Sequence, residues 1–126
     1  MNSKEYLGRV LEGGKSSSKW MPEYIPWLYP GTLNVLLFEP MPDIIWYEEV
    51  DTDYDGVCRI ARCKFNGVDA FVVNPPEVDI NPPRYLVEIG HTHKLRDLFD
   101  LKNEDVVSII FELAEGKNES PKEEGL

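Results

Sequence analysis

Thr32 and Asn34 offer a hydroxyl and an amide oxygen two residues apart. In extended chain that spacing puts both side chains on one face. Two neighbouring neutral oxygens suit a hard cation such as Mg²⁺, which takes oxygen ligands and shares them with phosphates. The alternative is that both side chains satisfy backbone groups around a turn. A second set lies upstream, in Gly13, Gly14, Lys15, Ser16, Ser17 and Ser18. Small residues let backbone N–H groups converge on an anion, and lysine adds charge. The Walker spacing GxxxxGK[ST] is absent, and a plain surface linker has the same composition. A third set is His91-Thr92-His93-Lys94-Leu95-Arg96, a basic entrance to a helix that would suit a phosphate. His91 and His93 have no third metal ligand near them in sequence, so a polar helix entrance is the competing reading.

Two further groups offer less. Asp51-Thr52-Asp53-Tyr54-Asp55-Gly56 is acidic, yet it lacks the spacing of an EF-hand loop and reads as a solvated turn. Cys58 and Cys63 are separated by an odd number of positions, so on one strand they point to opposite faces. That argues against a disulfide between them, and two thiols make a poor zinc set.

These residues must be held by strands. Tyr6 to Leu11 reads as the first. Pro30-Gly31 makes a tight turn, with Pro at the first corner and Gly taking positive φ at the second. It opens into a buried strand from Leu33 to Phe38. Ile44 to Val50 is a short strand. Val57 to Phe65 and Val68 to Val73 flank Asn66-Gly67, the strongest short-range hairpin signal. Tyr85 to Ile89 is a strand with Leu86 and Glu88 on one face and Tyr85, Val87 and Ile89 on the other. Thr92 can cap the helix that follows, whose stripe is Leu95, Leu98 and Phe99. Leu101 to Asp105 is a turn, and Val106 to Leu113 is the last strand. Between strands lie an aromatic, proline-punctuated stretch from Trp20 to Tyr29 and a proline-rich loop from Asn74 to Pro83. The prolines exclude a long helix in the first and regular structure in the second. The aromatics either wall a planar ligand or cap a core. Six or seven strands with one or two short helices predict a mainly β fold, a small barrel whose closure removes sheet edges. It occupies residues 1–114 as a single domain, with a polar, frayed tail over 115–126.

The whole chain sets the limits. Its 126 residues suit one core. No apolar run reaches the length of a membrane span, and the N-terminus lacks a signal-peptide core, so a cytoplasmic protein is expected. The formal net charge of −10 argues against nucleic acid as a partner.

Gly8-Arg9-Val10-Leu11-Glu12-Gly13, Tyr29-Pro30-Gly31-Thr32-Leu33-Asn34-Val35, the hairpin from Asp55 through Val73, Leu86-Val87-Glu88-Ile89, Lys94-Leu95-Arg96 and Leu101-Lys102-Asn103-Glu104-Asp105-Val106-Val107 come in a telling order. In that order and at these separations, over roughly residues 6–111, the chain resembles the archaeal-type CTP-dependent riboflavin kinases, which are cradle-loop barrels. The resemblance implies transfer of the γ-phosphoryl of CTP to riboflavin, giving FMN. It implies that Thr32 and Asn34 hold Mg²⁺, that Gly13 to Ser18 cradle the nucleotide, and that His93, Lys94, Leu95 and Arg96 lie against it from the other side. The family's acceptor-binding Glu falls near Arg84 or Tyr85, which are therefore expected to face the acceptor. Where the family has further glycines, the first loop here has serines. The competing functions are a non-catalytic nucleotide- or ligand-binding barrel and a protein-interaction barrel that uses the aromatic stretch.

Overall fold

The computed structural model describes residues 4–12, 21–52, 56–75 and 83–114. Seven strands and two single-turn helices follow in the order β1 (Glu5–Val10), α1 (Met21–Tyr24), β2 (Leu33–Leu37), β3 (Trp46–Asp51), β4 (Val57–Phe65), β5 (Val68–Asn74), β6 (Leu86–Gly90), α2 (Leu95–Leu98) and β7 (Val106–Phe111). The sheet runs β3-β4-β5-β6-β2-β1-β7 and closes through β4 and β7. Every pairing is antiparallel. The fold is thus a six-stranded barrel, as the strand pattern predicts, with β3 as an added strand.

One long strand makes this possible. The first half of β4 pairs with β3, as in Val57 with Asp51 and Ala61 with Trp46. Its second half pairs with β7, Cys63 with Phe111 and Phe65 with Ile109. The other edge carries β5 throughout, from Arg59 opposite Asn74 to Phe65 opposite Val68. The β4–β5 turn takes the positive φ that Asn-Gly supplies, 48° at Asn66 and 88° at Gly67.

The barrel is filled by alternate residues, including Val10, Val35, Phe65, Val72, Val87, Ile89 and Ile109, all fully buried. β2 is buried on one face only: Leu33, Val35 and Leu37 point inward, while Asn34 and Leu36 are half-buried outside. A second core lies outside the barrel wall. Met21, Ile25 and Leu28 cover Cys58, Ile60 and Val73 on the outer face of β4 and β5. The buried members of this stretch, which cap a core, are aliphatic; Trp27 and Tyr29 are exposed, with Trp27 meeting Phe71 edge-to-face at 4.9 Å. Pro22 is compatible with α1 because the first turn has no partner for its missing N–H. Cys58 and Cys63 do face opposite ways, into the outer and inner cores respectively, and both are free.

Several expectations are corrected. Thr92 does not cap α2. The helix begins at Leu95 with Lys94 in the N-cap position and without a side-chain cap, while the Thr92 hydroxyl lies 3.3 Å from His93 Nδ1. Leu98 is 47% exposed, because a single turn can turn only Leu95 and Phe99 toward the core. The last strand stops at Phe111, and Leu113 forms an isolated bridge with Ile44. The acidic turn is pinned by Thr52, whose N–H and hydroxyl both donate to the Gly56 carbonyl, at 3.0 and 2.6 Å. Its residues 53–55, Trp20, most of the proline-rich loop and the polar tail lie outside the described residues. Among the described residues no helix is long and apolar enough to cross a membrane.

Gly8 of β1 packs directly against the backbone of β2. A Cβ there would stand 2.7 Å from both the Leu36 carbonyl oxygen and Val35 Cγ1. Backbone cannot give way as a flexible side chain can, so Gly8→Ala should lose about 1–3 kcal/mol in urea denaturation. Gly67→Ala meets no atom within 4 Å and should pay only for its positive φ.

Burial, with a smaller contribution from Asp69, pushes the Cys63 thiol up to about 12 from an ordinary 9.0. In the unfolded chain the thiol ionises first. Stability due to this group is therefore full below about pH 9 and is lost as pH rises toward 12. Over that window the natural chain should lose more stability than Cys63→Ala, as measured by denaturation at stepped pH.

Candidate functional site

Three expected pieces meet at one rim of the barrel. In the register, the end of β1 lies beside the start of β2, which lies beside the end of β6. Leu11 N–H donates to the Asn34 carbonyl at 3.0 Å. Asn34 is the direct cross-strand partner of Glu88, and Leu33 of Ile89. Gly31, at φ 122°, turns the chain into β2. The Tyr29 N–H donates to the His91 carbonyl at 2.8 Å, which ties the aromatic stretch to the end of β6. Gly90 sits between Leu28 and Val73, where a Cβ would meet side-chain carbons at 3.2 and 3.1 Å.

Thr32 and Asn34 share the outer face of this rim. With them stands Glu88, whose Oε1 accepts a 2.6 Å hydrogen bond from Thr32 Oγ1. Cross-strand partners hold their Cβ atoms about 5 Å apart, so Asn34 and Glu88 can act on one bound group. The result is a half-buried hydroxyl, amide and carboxylate on adjacent strands. Sequence reasoning placed Glu88 on the correct face of its strand but did not join it to Thr32 and Asn34. Only the β2–β6 register joins them, and no local signal encodes a pairing between strands so far apart in sequence.

All three are hard oxygen donors, the type that Mg²⁺ takes. Among the described residues no group of three or more His, Cys, Asp or Glu side chains could hold a metal. A cation here would rely on one carboxylate, two neutral oxygens and its other ligands, as Mg²⁺ does at phosphates.

The segment after β6 divides by role. Leu95 is buried in the barrel core, so its side chain is structural and cannot lie against a nucleotide. His93 and Lys94 are exposed at the rim. His93 N–H donates to His91 Nδ1 at 2.9 Å, which folds the segment back on itself. Arg96 Nη2 donates to the Leu11 carbonyl at 2.7 Å and to Asn103 Oδ1 at 2.9 Å. Arg96 therefore anchors the chain just before Gly13, Gly14, Lys15, Ser16, Ser17 and Ser18, which lie outside the described residues. The turn after α2 holds the same point: Val10 N–H donates to Asp105 O and Glu104 N–H to Val10 O, at 2.9 and 2.7 Å. Arg9 and Glu104 pair alongside, at 2.7 Å.

The expected acceptor residues are elsewhere. Arg84 and Tyr85 stand at the opposite end of β6 from the Gly90–His91 rim. Arg84 is buried, its Nη1 donating to Asn74 Oδ1 and its Nε to the Leu86 carbonyl at 3.0 Å. Tyr85 receives the Leu37 N–H on its carbonyl at 2.8 Å. Both hold the far end of the barrel. The carboxylate of the site is Glu88, further along the same strand.

Arg96→Ala should cost about 1.5 kcal/mol in urea denaturation, the scale of a charged hydrogen bond. It should also speed amide exchange at Leu11. Arg96→Lys should not restore either, because an ammonium lacks the guanidinium fork. A scan against protein-family models finds no match to this chain, and a search of curated proteins finds none either.

Proposed function

We propose that the chain is a cytoplasmic, CTP-dependent kinase of riboflavin or a closely related small acceptor. The observation that carries the reading is the Thr32, Asn34 and Glu88 set. It lies on the rim to which the loop after β1 and the His93–Arg96 segment are both attached. The resemblance in motif order assigns the nucleotide to that rim, and the donor chemistry is what a phosphate-bound Mg²⁺ needs.

Phosphoryl transfer asks little covalent chemistry of a protein. It asks for positioning and for neutral surroundings to the charge on the moving group. Mg²⁺, when bound, would supply positive charge between the phosphate oxygens. In this reading Thr32 and Asn34 orient the phosphate end. Lys94, exposed at the N-cap of α2, offers a further positive charge. Glu88 would supply the one carboxylate of the cation site, and its bond from Thr32 holds it in place for that role. In this reading the segment Gly13 to Ser18 would cradle the nucleotide, and Arg96 on the Leu11 carbonyl holds the chain just before it.

The test is conversion of riboflavin to FMN by the full chain with CTP and Mg²⁺, followed by chromatography with fluorescence detection. FMN formed from CTP is the expected result. No product with CTP, ATP or GTP overturns the reading. Thermal shift gives a second readout, since a ligand of the folded state raises its melting temperature. CTP with Mg²⁺ should raise it, and Asn34→Ala and Glu88→Gln should abolish the Mg²⁺-dependent part. Glu88→Gln keeps an acceptor for the Thr32 hydroxyl, so its own stability should change little.

A further inference from the structure

The stretch from Met21 to Tyr29 divides by side-chain chemistry. Its aliphatic residues Met21, Ile25 and Leu28 are buried on the outer wall of β4 and β5. Two of its aromatic rings are not: Trp27 is 42% exposed and Tyr29 36%. Aromatic rings ordinarily contribute by burying their large apolar area. Tyr29 leaves much of that area in solvent and is nevertheless held in one place. Its N–H donates to the His91 carbonyl at 2.8 Å. Its ring lies against Gly31, where an added Cβ would stand 3.7 Å from Tyr29 Cε2. The next residue is Thr32, whose hydroxyl bonds Glu88. The ring is thus fixed at the edge of the oxygen set.

The sheet gives that set two sides. On one lies β1, whose end leads toward Gly13 to Ser18. On the other lie β6 and β5, and there the aromatic stretch crosses the wall. Trp27 meets Phe71, Leu28 covers Gly90, and Tyr29 ties to His91. In phosphoryl transfer the attacking and leaving oxygens are roughly in line, so donor and acceptor reach the moving group from opposite directions. A nucleotide held from the β1 side leaves the aromatic side to the acceptor. We propose that Tyr29 is the platform on which the acceptor's planar heteroaromatic ring stacks, the isoalloxazine of a flavin, with the hydroxylated side chain directed toward Thr32 and Glu88. This assignment rests on the reading of the oxygen set as a phosphoryl-transfer site. It puts the acceptor contact at the Gly90–His91 end of β6, away from Arg84 and Tyr85. A ring already held against Gly31 loses little freedom when a second ring stacks on it.

The test is a titration of riboflavin with the full chain, followed by flavin fluorescence, both without nucleotide and with CDP and Mg²⁺. Stacking on a phenol ring quenches flavin emission, so saturable quenching is expected. Tyr29→Ala should weaken riboflavin binding about tenfold, the scale of one ring stacked on an aromatic side chain. Tyr29→Phe keeps the ring and should bind as the natural chain does. Both variants keep the backbone bond to His91. Tyr47→Ala, which removes an exposed ring on β3, should change nothing. A natural chain that quenches under neither condition overturns the proposal. So does Tyr29→Ala binding riboflavin normally, including the case in which it loses the CTP-dependent thermal shift because the ring serves the nucleotide base. The kinase reading fails separately. Riboflavin bound through Tyr29 with no FMN from any nucleotide removes the kinase and keeps the platform. FMN formed by Tyr29→Ala at an unaltered KM for riboflavin keeps the kinase and removes the platform.

Discussion

The pairing of β4 with β7 is what the rest of the molecule depends on. Without it the strands form an open sheet with two exposed edges. Cys63, Lys64 and Phe65 pair with Phe111, Ile110 and Ile109. The turn continues the seam: Asn66 N–H donates to the Ser108 carbonyl at 2.8 Å, and Asn66 Oδ1 accepts from Ser108 N–H at 2.9 Å. One residue thus forms the hairpin corner and locks the barrel. Beneath the seam Phe65 is fully buried and meets Phe99 edge-to-face at 5.6 Å. The single turn of α2 is therefore held by the same aromatic that fills the closure. Because β4 gives only part of that edge to β7, it has room for β3 on the remainder, and the added strand does not interrupt the ring.

The oxygen site follows from closure at one remove. Once the ring is shut, β2 has no choice of neighbours: β1 on one edge and β6 on the other. The inward residues of β2 are Leu33, Val35 and Leu37, so Asn34 must face out. The same parity on β6 buries Val87 and Ile89 and turns Glu88 out beside it. A slip of one residue in either strand would bury the amide or the carboxylate and expose the core. Hydrophobic burial therefore fixes the relation between the polar groups, and the Thr32 to Glu88 hydrogen bond completes it.

Much of this was legible in the sequence because it is local. Asn66-Gly67 dictates its hairpin, and Pro30-Gly31 its turn. The inward face of β6, Val87 and Ile89, can be read residue by residue, and so can the opposite directions of Cys58 and Cys63. What failed was non-local or depended on element length. Thr92 resembles a cap by type, but the helix starts too late to use it. Leu98 fits a helical stripe only if the helix has a second turn. Leu95 lies in the basic segment yet belongs to the core. Glu88 is legible as a face residue but not as the partner of Asn34, because strand register is a property of the assembled sheet. Motif order alone points Arg84 at an acceptor, whereas its hydrogen bond to Asn74 follows only once β5 and β6 are side by side.

The two thiols of β4 carry a consequence for the surroundings this protein can tolerate. Cys58 is sealed under the outer cover and Cys63 inside the barrel, on opposite faces of one strand. No motion short of unfolding brings the sulfurs together, and neither presents a thiolate to an oxidant. The folded chain therefore has the same covalent structure whether the milieu is oxidising or reducing. No disulfide contributes to its stability, which rests on packing and hydrogen bonds, and redox potential does not act on the fold through these thiols.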